Sequence, residues 1–228
     1  MMRTVVAEME DEPLTAQIAA KIREMLISGE LAPGAKLSEQ QIAAQFGISR
    51  NTLREIFRLL TSQNLLVHIP NRGVFVATPG EASVVDIYRV RYVIQKGAVR
   101  AAVRTHPALG RMRELLARTE ASRAAGDWRS VGTINMEFHR SMVELCDSPR
   151  LSACFELTLA ELRLVFAQFE DTAHLHDPYI ALNGELLASL EAGDVEAASA
   201  QLDAYLARSE RSVLAALQTA KEKPSSRI

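Results

Sequence analysis

The stretch from Gly47 to Leu60, GISRNTLREIFRLL, constrains the fold more than any other part of the chain. Leu53, Ile56, Phe57 and Leu60 recur at the spacing of one helix face, while Arg50, Asn51, Arg54 and Arg58 fall on the opposite face. A helix patterned in this way lays one side on a core and offers a basic side to something else. Ser49 is its N-cap candidate, and Ile48 with Leu53 has the spacing of a hydrophobic staple. Upstream, Ser38 with Gln41 forms a capping-box pattern before Ile42, Ala43 and Phe46, and Gly47 closes that short helix with a sharp turn. The pattern is helix, tight turn, helix.

The surroundings extend it. Leu14, Ile18, Ile22 and Met25 form an earlier apolar stripe, ended by Gly29, Pro33 and Gly34. After the basic helix, LLVHI and VFVAT flank PNRG, so Leu65 to Thr78 reads as a β-hairpin with a basic, glycine-containing tip. The expected unit is a winged helix-turn-helix. In such units the N-terminal turns of the second helix enter the DNA major groove, where arginine pairs with guanine and Asn51 or Thr52 can reach a base edge or a phosphate. The competing reading is a solvated helix face shared with Glu55.

The position of the run on the second helix favours the first reading, and charge marks where the unit ends. The net formal charge is −2, but Pro13 to Thr78 carries seven Lys/Arg against four Glu, a surplus of +3, and the sign reverses beyond ATPGEAS. The expected organisation is a DNA-binding domain over 1–78 with 1–12 flexible, a linker at 79–83, a helical domain over 84–219, and a disordered tail at 220–228. From Ser83 onward the pattern is wholly helical. Six helices are expected, near Val84–Arg104, Ala108–Ala124, Asp127–Cys146, Pro149–Glu170, Pro178–Glu191 and Asp194–Thr219, with AGD twice acting as stop and cap. The expected fold class is therefore mainly α, a winged helix-turn-helix with a small hairpin followed by an antiparallel all-helical bundle. The start of the chain lacks the pattern of a secretory signal and no apolar run is long enough to span a membrane, so a cytoplasmic protein is expected. Cys146 and Cys154 match no zinc or disulfide pattern and read as reduced core thiols.

The segment from LISGELAPGAKLSEQQ through NRGVFVAT resembles the winged-helix signature of GntR regulators. That resemblance implies base readers at Arg50 and Arg54, base or phosphate contacts from Ser49, Asn51 and Thr52, and a wing tip at Arg72 and Gly73. Gln40 stands where the fatty-acid-responsive member has an arginine that touches DNA. Three later segments, VVDIYRVRYVIQKGAVRAAV, NMEFHRSMVELCDSPRL and LNGELLASLEAGDVEAASAQLDAYL, resemble the FadR-like branch and its FCD-type ligand-binding domain. The branch implies a homodimer on a palindromic double-stranded operator, and a small metabolite, expected to be a carboxylate, bound in the bundle.

Many members of the branch hold a divalent ion with one aspartate and three histidines. The resemblance places Asn135, His139, Asn183 and Tyr205 at those positions, so only His139 of the set is present and no metal or other cofactor is expected. His174 and His176 are the substitutes the sequence offers. The expected effector site is Asn135, His139, Asn183 and Tyr205 as hydrogen-bonding groups, with Arg91 either as a carboxylate clamp or in an internal salt bridge. An enzyme is not expected, since no hydrolase, phosphate-loop or dinucleotide motif appears. An architectural DNA-binding protein that senses nothing is the remaining alternative, distinguished by the absence of any ligand effect on operator affinity.

Overall fold

The computed structural model describes residues 13–169 and 171–222. The expectations for residues 1–12 and for 223–228 lie outside the described residues. The protein is mainly helical and forms two compact units: the described residues up to Thr78 together with Arg163–Gln168, and Pro79–Leu162 together with Phe169 onward.

The first unit opens with α1 (Leu14–Ser28), whose Ile18, Ile22 and Leu26 are buried. Strand β1 (Lys36–Leu37) precedes α2 (Glu39–Phe46) and α3 (Arg50–Ser62). Ser38 caps α2 by accepting from the Gln41 backbone N–H, and Ser49 caps α3 by accepting from the Thr52 N–H at 3.1 Å. Between them Gly47 adopts φ +64°, and its N–H closes the end of α2 on the Ala43 and Ala44 carbonyls. No neighbouring atom lies within 4 Å of where a Cβ on Gly47 would sit, so the left-handed backbone, not lack of space, calls for glycine there. The apolar face of α3 is buried as its periodicity requires, with Leu53 and Leu60 at 0% exposure. Burial of such a side chain is worth about 1.5 to 3 kcal/mol.

The hairpin is β2 (Leu66–Ile69) and β3 (Gly73–Val76), antiparallel with Val67 opposite Phe75 and Ile69 opposite Gly73. It is part of a three-stranded sheet of order β1-β3-β2, because Lys36 pairs with Phe75 and Leu37 with Val74. Sequence reading took the segment containing β1 as a helix break only. Two residues are too short to show alternation, and their strand character exists only because β3 offers an edge.

The second unit contains α4 (Glu81–Ala101), α5 (Pro107–Ala124), α6 (Trp128–Val143), a 3-10 turn (Glu144–Cys146), α7 (Pro149–Phe166) as far as Leu162, α8 (Ala173–Ala192) and α9 (Val195–Glu222). Gly126 and Gly193, at φ +70° and +75°, end α5 and α8, and Asp127 and Asp194 cap the following turns through Ser130 N and Ala197 N. Both AGD punctuation marks act as read.

Several bounds differ from the reading. Helix α4 starts at Glu81, inside the expected linker, and ends before Val103, while α9 runs on through 220–222. Helix α8 starts at Ala173, before the expected Pro178, so His174 and His176 are helical. Pro178 was taken as a helix start but lies inside α8, where it removes a single backbone donor near the N-terminal end and the remaining ladder continues. The cysteines are also corrected: Cys146 is half-buried and Cys154 exposed, because the face of α7 that carries Cys154 is turned from the core that Phe155 and Leu159 enter. Among the described residues no helix is long and apolar enough to cross a membrane.

Candidate functional site

Two sets of polar side chains stand out, one in each unit. In the first, Arg50, Asn51, Arg54 and Arg58 are exposed along the outer face of α3, opposite the buried stripe. Arg50 begins the helix, so its side chain stands beside the free amides of the first turn, where anions are favoured. Ser49 and Thr52 are less available than Arg50 and Asn51. Ser49 Oγ accepts from the Thr52 N–H, and the two hydroxyls lie 2.9 Å apart, so both are engaged in starting the helix.

At the wing tip, Asn71 takes φ +61° and Gly73 φ +107°, and the Arg72 N–H returns to the Ile69 carbonyl to close the turn. The Arg72 guanidinium lies 5.8 Å from the centre of the Phe75 ring, so it leans back along the strand. Glu39, Arg54, Phe57, Arg58, Thr61, Ser62, His68 and Val74 line a groove between α3 and the wing. Arg54 Nε donates to Glu39 Oε2 at 3.0 Å across the helix-turn-helix. Glu39 was not singled out in the sequence, where nothing local links it to a residue fifteen positions on.

In the second unit the four positions expected to converge do so. Asn135 and His139 come from α6, Asn183 from α8 and Tyr205 from α9. Gln95 of α4 completes the set: its Nε2 donates to His139 Nδ1 at 2.6 Å. His139 Nδ1 is therefore an acceptor, and Nε2 carries the proton and donates to the Tyr205 hydroxyl at 2.8 Å. Tyr205 donates in turn to Asn135 Oδ1 at 3.2 Å, which also accepts from Asn183 Nδ2 at 2.6 Å. Burial, with the nearby charge of Arg91, holds His139 well below the ordinary histidine value of 6.5, so the ring is neutral at pH 7. Burial also pushes the Tyr205 phenol far up, Arg91 opposing, so its proton stays on to serve Asn135.

Arg91 is only 2% exposed. Its guanidinium lies 4.7 Å from the Tyr88 ring centre, and Tyr88 in turn shares a 2.6 Å hydrogen bond with Ser209. Of the two readings open in the sequence, the internal salt bridge is not found: among the described residues no carboxylate pairs with Arg91, and its Nε has no hydrogen-bond partner. Gln95 Oε1 and Asn183 Oδ1 are likewise buried and unpaired. The approach of Gln95 to His139 spans 44 residues and has no local signal in the sequence.

The divalent ion that the fold family implies does not suit these residues. Both nitrogens of His139 are engaged, Asn135 and Asn183 supply neutral amide oxygens, and the Tyr205 phenol resists ionisation. His174 is exposed on α8, while His176 packs on α6 so closely that a Cβ at Gly132 would lie 2.6 Å from its Nε2. Among the described residues no group of three or more His, Cys, Asp or Glu is placed to hold a metal.

Comparison with known proteins bears on both units. Residues 14–76 match the model of "Bacterial regulatory proteins, gntR family", and residues 86–208 match that of the FCD domain. The crystal structure of a putative transcriptional regulator GntR from Rhodococcus sp. RHA1 is similar over 89% of this chain and 98% of that one, at 36% identity and TM-score 0.81. The structure of E. coli McbR/YncC is similar over 92% of this chain and all of that one, at 26% identity and TM-score 0.75. A probable D-xylose utilization operon transcriptional repressor of Paenarthrobacter nicotinovorans is 28% identical over 201 residues, 83% of this chain and 86% of that protein.

Proposed function

The chain belongs to the GntR family of bacterial regulatory proteins and carries an FCD domain, and from that premise we propose how this DNA-binding regulator is controlled. A small carboxylate enters the bundle at Arg91 and alters the affinity of a cytoplasmic homodimer for a palindromic operator. No catalytic step is involved. The DNA-binding residues are Arg50, Asn51 and Arg54 on α3 with Arg72 and Gly73 on the wing, and Ser49 and Thr52 set the helix start.

The observation that carries the effector reading is the buried guanidinium of Arg91, which among the described residues meets no carboxylate and whose Nε has no hydrogen-bond partner. A buried charge is costly without a partner, and a ligand carboxylate supplies one with the two parallel acceptors that a guanidinium favours. Gln95 Oε1 and Asn183 Oδ1 then call for hydrogen-bond donors on the same ligand. A hydroxyl fits better than an ammonium. Asn135, His139, Asn183 and Tyr205 offer a neutral lining, and a second cation beside Arg91 would be buried without a counter-charge. The effector reading is therefore a hydroxy-carboxylate that binds through the chain's own side chains.

Coupling to DNA requires that the ligand bind the DNA-competent and incompetent arrangements unequally. A thermal-shift screen of the full chain against small hydroxy-carboxylates, amino acids and neutral sugars tests the reading. A hydroxy-carboxylate is expected to raise the melting temperature of wild type and leave Arg91→Met unshifted, while unliganded Arg91→Met melts no lower than wild type because a buried charge that meets no carboxylate among the described residues has been removed. Equal shifts in both chains would sink the clamp. A ligand that shifts melting without changing operator affinity would leave a DNA-binding protein with no effector control.

A further inference from the structure

An ion pair ties α2 to α3. Of Arg50, Arg54, Arg58 and Arg72, among the described residues only Arg54 meets a carboxylate. The contact is specific in form: Glu39 Oε2 takes the hydrogen of Arg54 Nε at 3.0 Å, and Arg54 remains an exposed side chain. Occupation of Nε leaves the outer pair of amino groups, Nη1 and Nη2, as a fork of parallel donors. That fork is what a guanine O6 and N7 edge accepts.

Glu39 is itself fixed from behind. It is the first residue of α2, where a carboxylate is held by the positive end of the helix, and the Ser38 cap anchors the same turn. Arg54 sits one turn into α3, whose start is fixed by the Ser49 cap. A long side chain that would otherwise sample many rotamers is thus held at both ends, by its backbone and by its Nε.

We propose that Glu39 is a specificity-positioning residue, which orients Arg54 for bidentate reading of one base pair while lowering the protein's general attraction for phosphate. The inference rests on the reading of Arg54 as a base contact. It gives an uncommon signature, because Glu39 and Arg54 have opposite effects on binding without sequence preference. Loss of Arg54 removes a positive charge and weakens binding to any duplex. Loss of Glu39 removes a negative charge next to DNA and strengthens it.

The test uses the full-length chain and a duplex that wild type selects from a randomised pool, compared with its single base-pair variants and with a scrambled duplex. Glu39→Ala is expected to bind the scrambled duplex about two- to threefold more tightly. Its preference for the selected duplex over the variant at the Arg54 position should fall roughly tenfold, in the range of one lost bidentate contact. Glu39→Gln keeps an oxygen where Oε2 stood, so it should strengthen scrambled binding while retaining most of the preference. The Glu39→Ala/Arg54→Ala double variant should discriminate no worse than Arg54→Ala alone.

Glu39→Ala with undiminished preference, or additive losses in the double variant, would overturn the inference and leave Arg54 as a base contact. Identical behaviour of Glu39→Ala and Glu39→Gln would also overturn it, since charge alone would then account for both. If Arg54→Ala reads every base pair as wild type does, the base-contact premise fails and the inference with it. Melting temperatures of all four variants close to that of wild type separate these outcomes from misfolding.

Discussion

The two units treat polar groups in opposite ways. On α3 the arginines stand in solvent on a helix whose other face is buried, and each can be removed without opening a cavity. In the bundle the polar groups are buried or half-buried among apolar helices, and Gln95, His139 and Tyr205 donate in turn toward Asn135, whose Oδ1 also accepts from Asn183. The difference fits what each unit is proposed to meet. A polyanionic duplex keeps much of its water and is met by exposed charge on a stiff mount. On the proposed reading a small molecule is desolvated and surrounded there, and the buried groups with unfilled valences are its partners.

The largest effect that sharpens this contrast comes from the mount. Leu53→Ala removes a fully buried side chain from the inner face of α3 and should cost about 3 kcal/mol of stability in urea denaturation, with operator binding lost in proportion to unfolding. A cost below about 1 kcal/mol would mean that α3 is not held by its apolar face. Arg50→Ala is the complementary change. It should weaken operator binding by about 1 to 3 kcal/mol in a gel-shift titration, while stability stays within about 0.5 kcal/mol of wild type. Wild-type affinity in this variant would break the assignment of the α3 face.

The smallest effect is a pH dependence confined to the bundle. His139 has a folded-state pKa well below its unfolded value near 6.5, so above that pH both states are neutral and it contributes no slope. As the pH falls below 6.5 the unfolded chain takes up the proton first, and stability declines until the pH reaches the folded-state pKa. The slope attributable to His139 is at most about 1.4 kcal/mol per pH unit. His139→Gln should therefore show a shallower loss of stability between pH 6.5 and 5 than wild type. Parallel curves for the two chains would show that His139 is not held neutral by its surroundings.

Much of the DNA-facing unit was legible because its signals are local. Ser38, Ser49 and Gly47 act on backbone groups within a turn of themselves, and the stripe Leu53, Ile56, Phe57, Leu60 repeats at the helix period. The bundle was legible as helices for the same reason, through AGD and its caps. Pro178 misled because a proline near a helix start and one at a helix start leave nearly the same mark on a sequence. The exposure of Cys154 was missed because residue type states a tendency to be buried, whereas helix rotation decides the case.

The sequence by itself determined the winged helix, the helical second unit and the residue types of its polar set, since periodicity, capping and turn chemistry all act over a few residues. Tertiary structure alone decided the rest. It placed Lys36 and Leu37 on the edge of β3, brought Glu39 to Arg54, closed Gln95 on His139 across 44 residues and Tyr205 on Asn135 across 70, and left Arg91 buried with no carboxylate beside it among the described residues. Each of these depends on the angle and rotation at which whole elements pack, and those are set by the sum of many apolar contacts, which no short segment of the chain encodes.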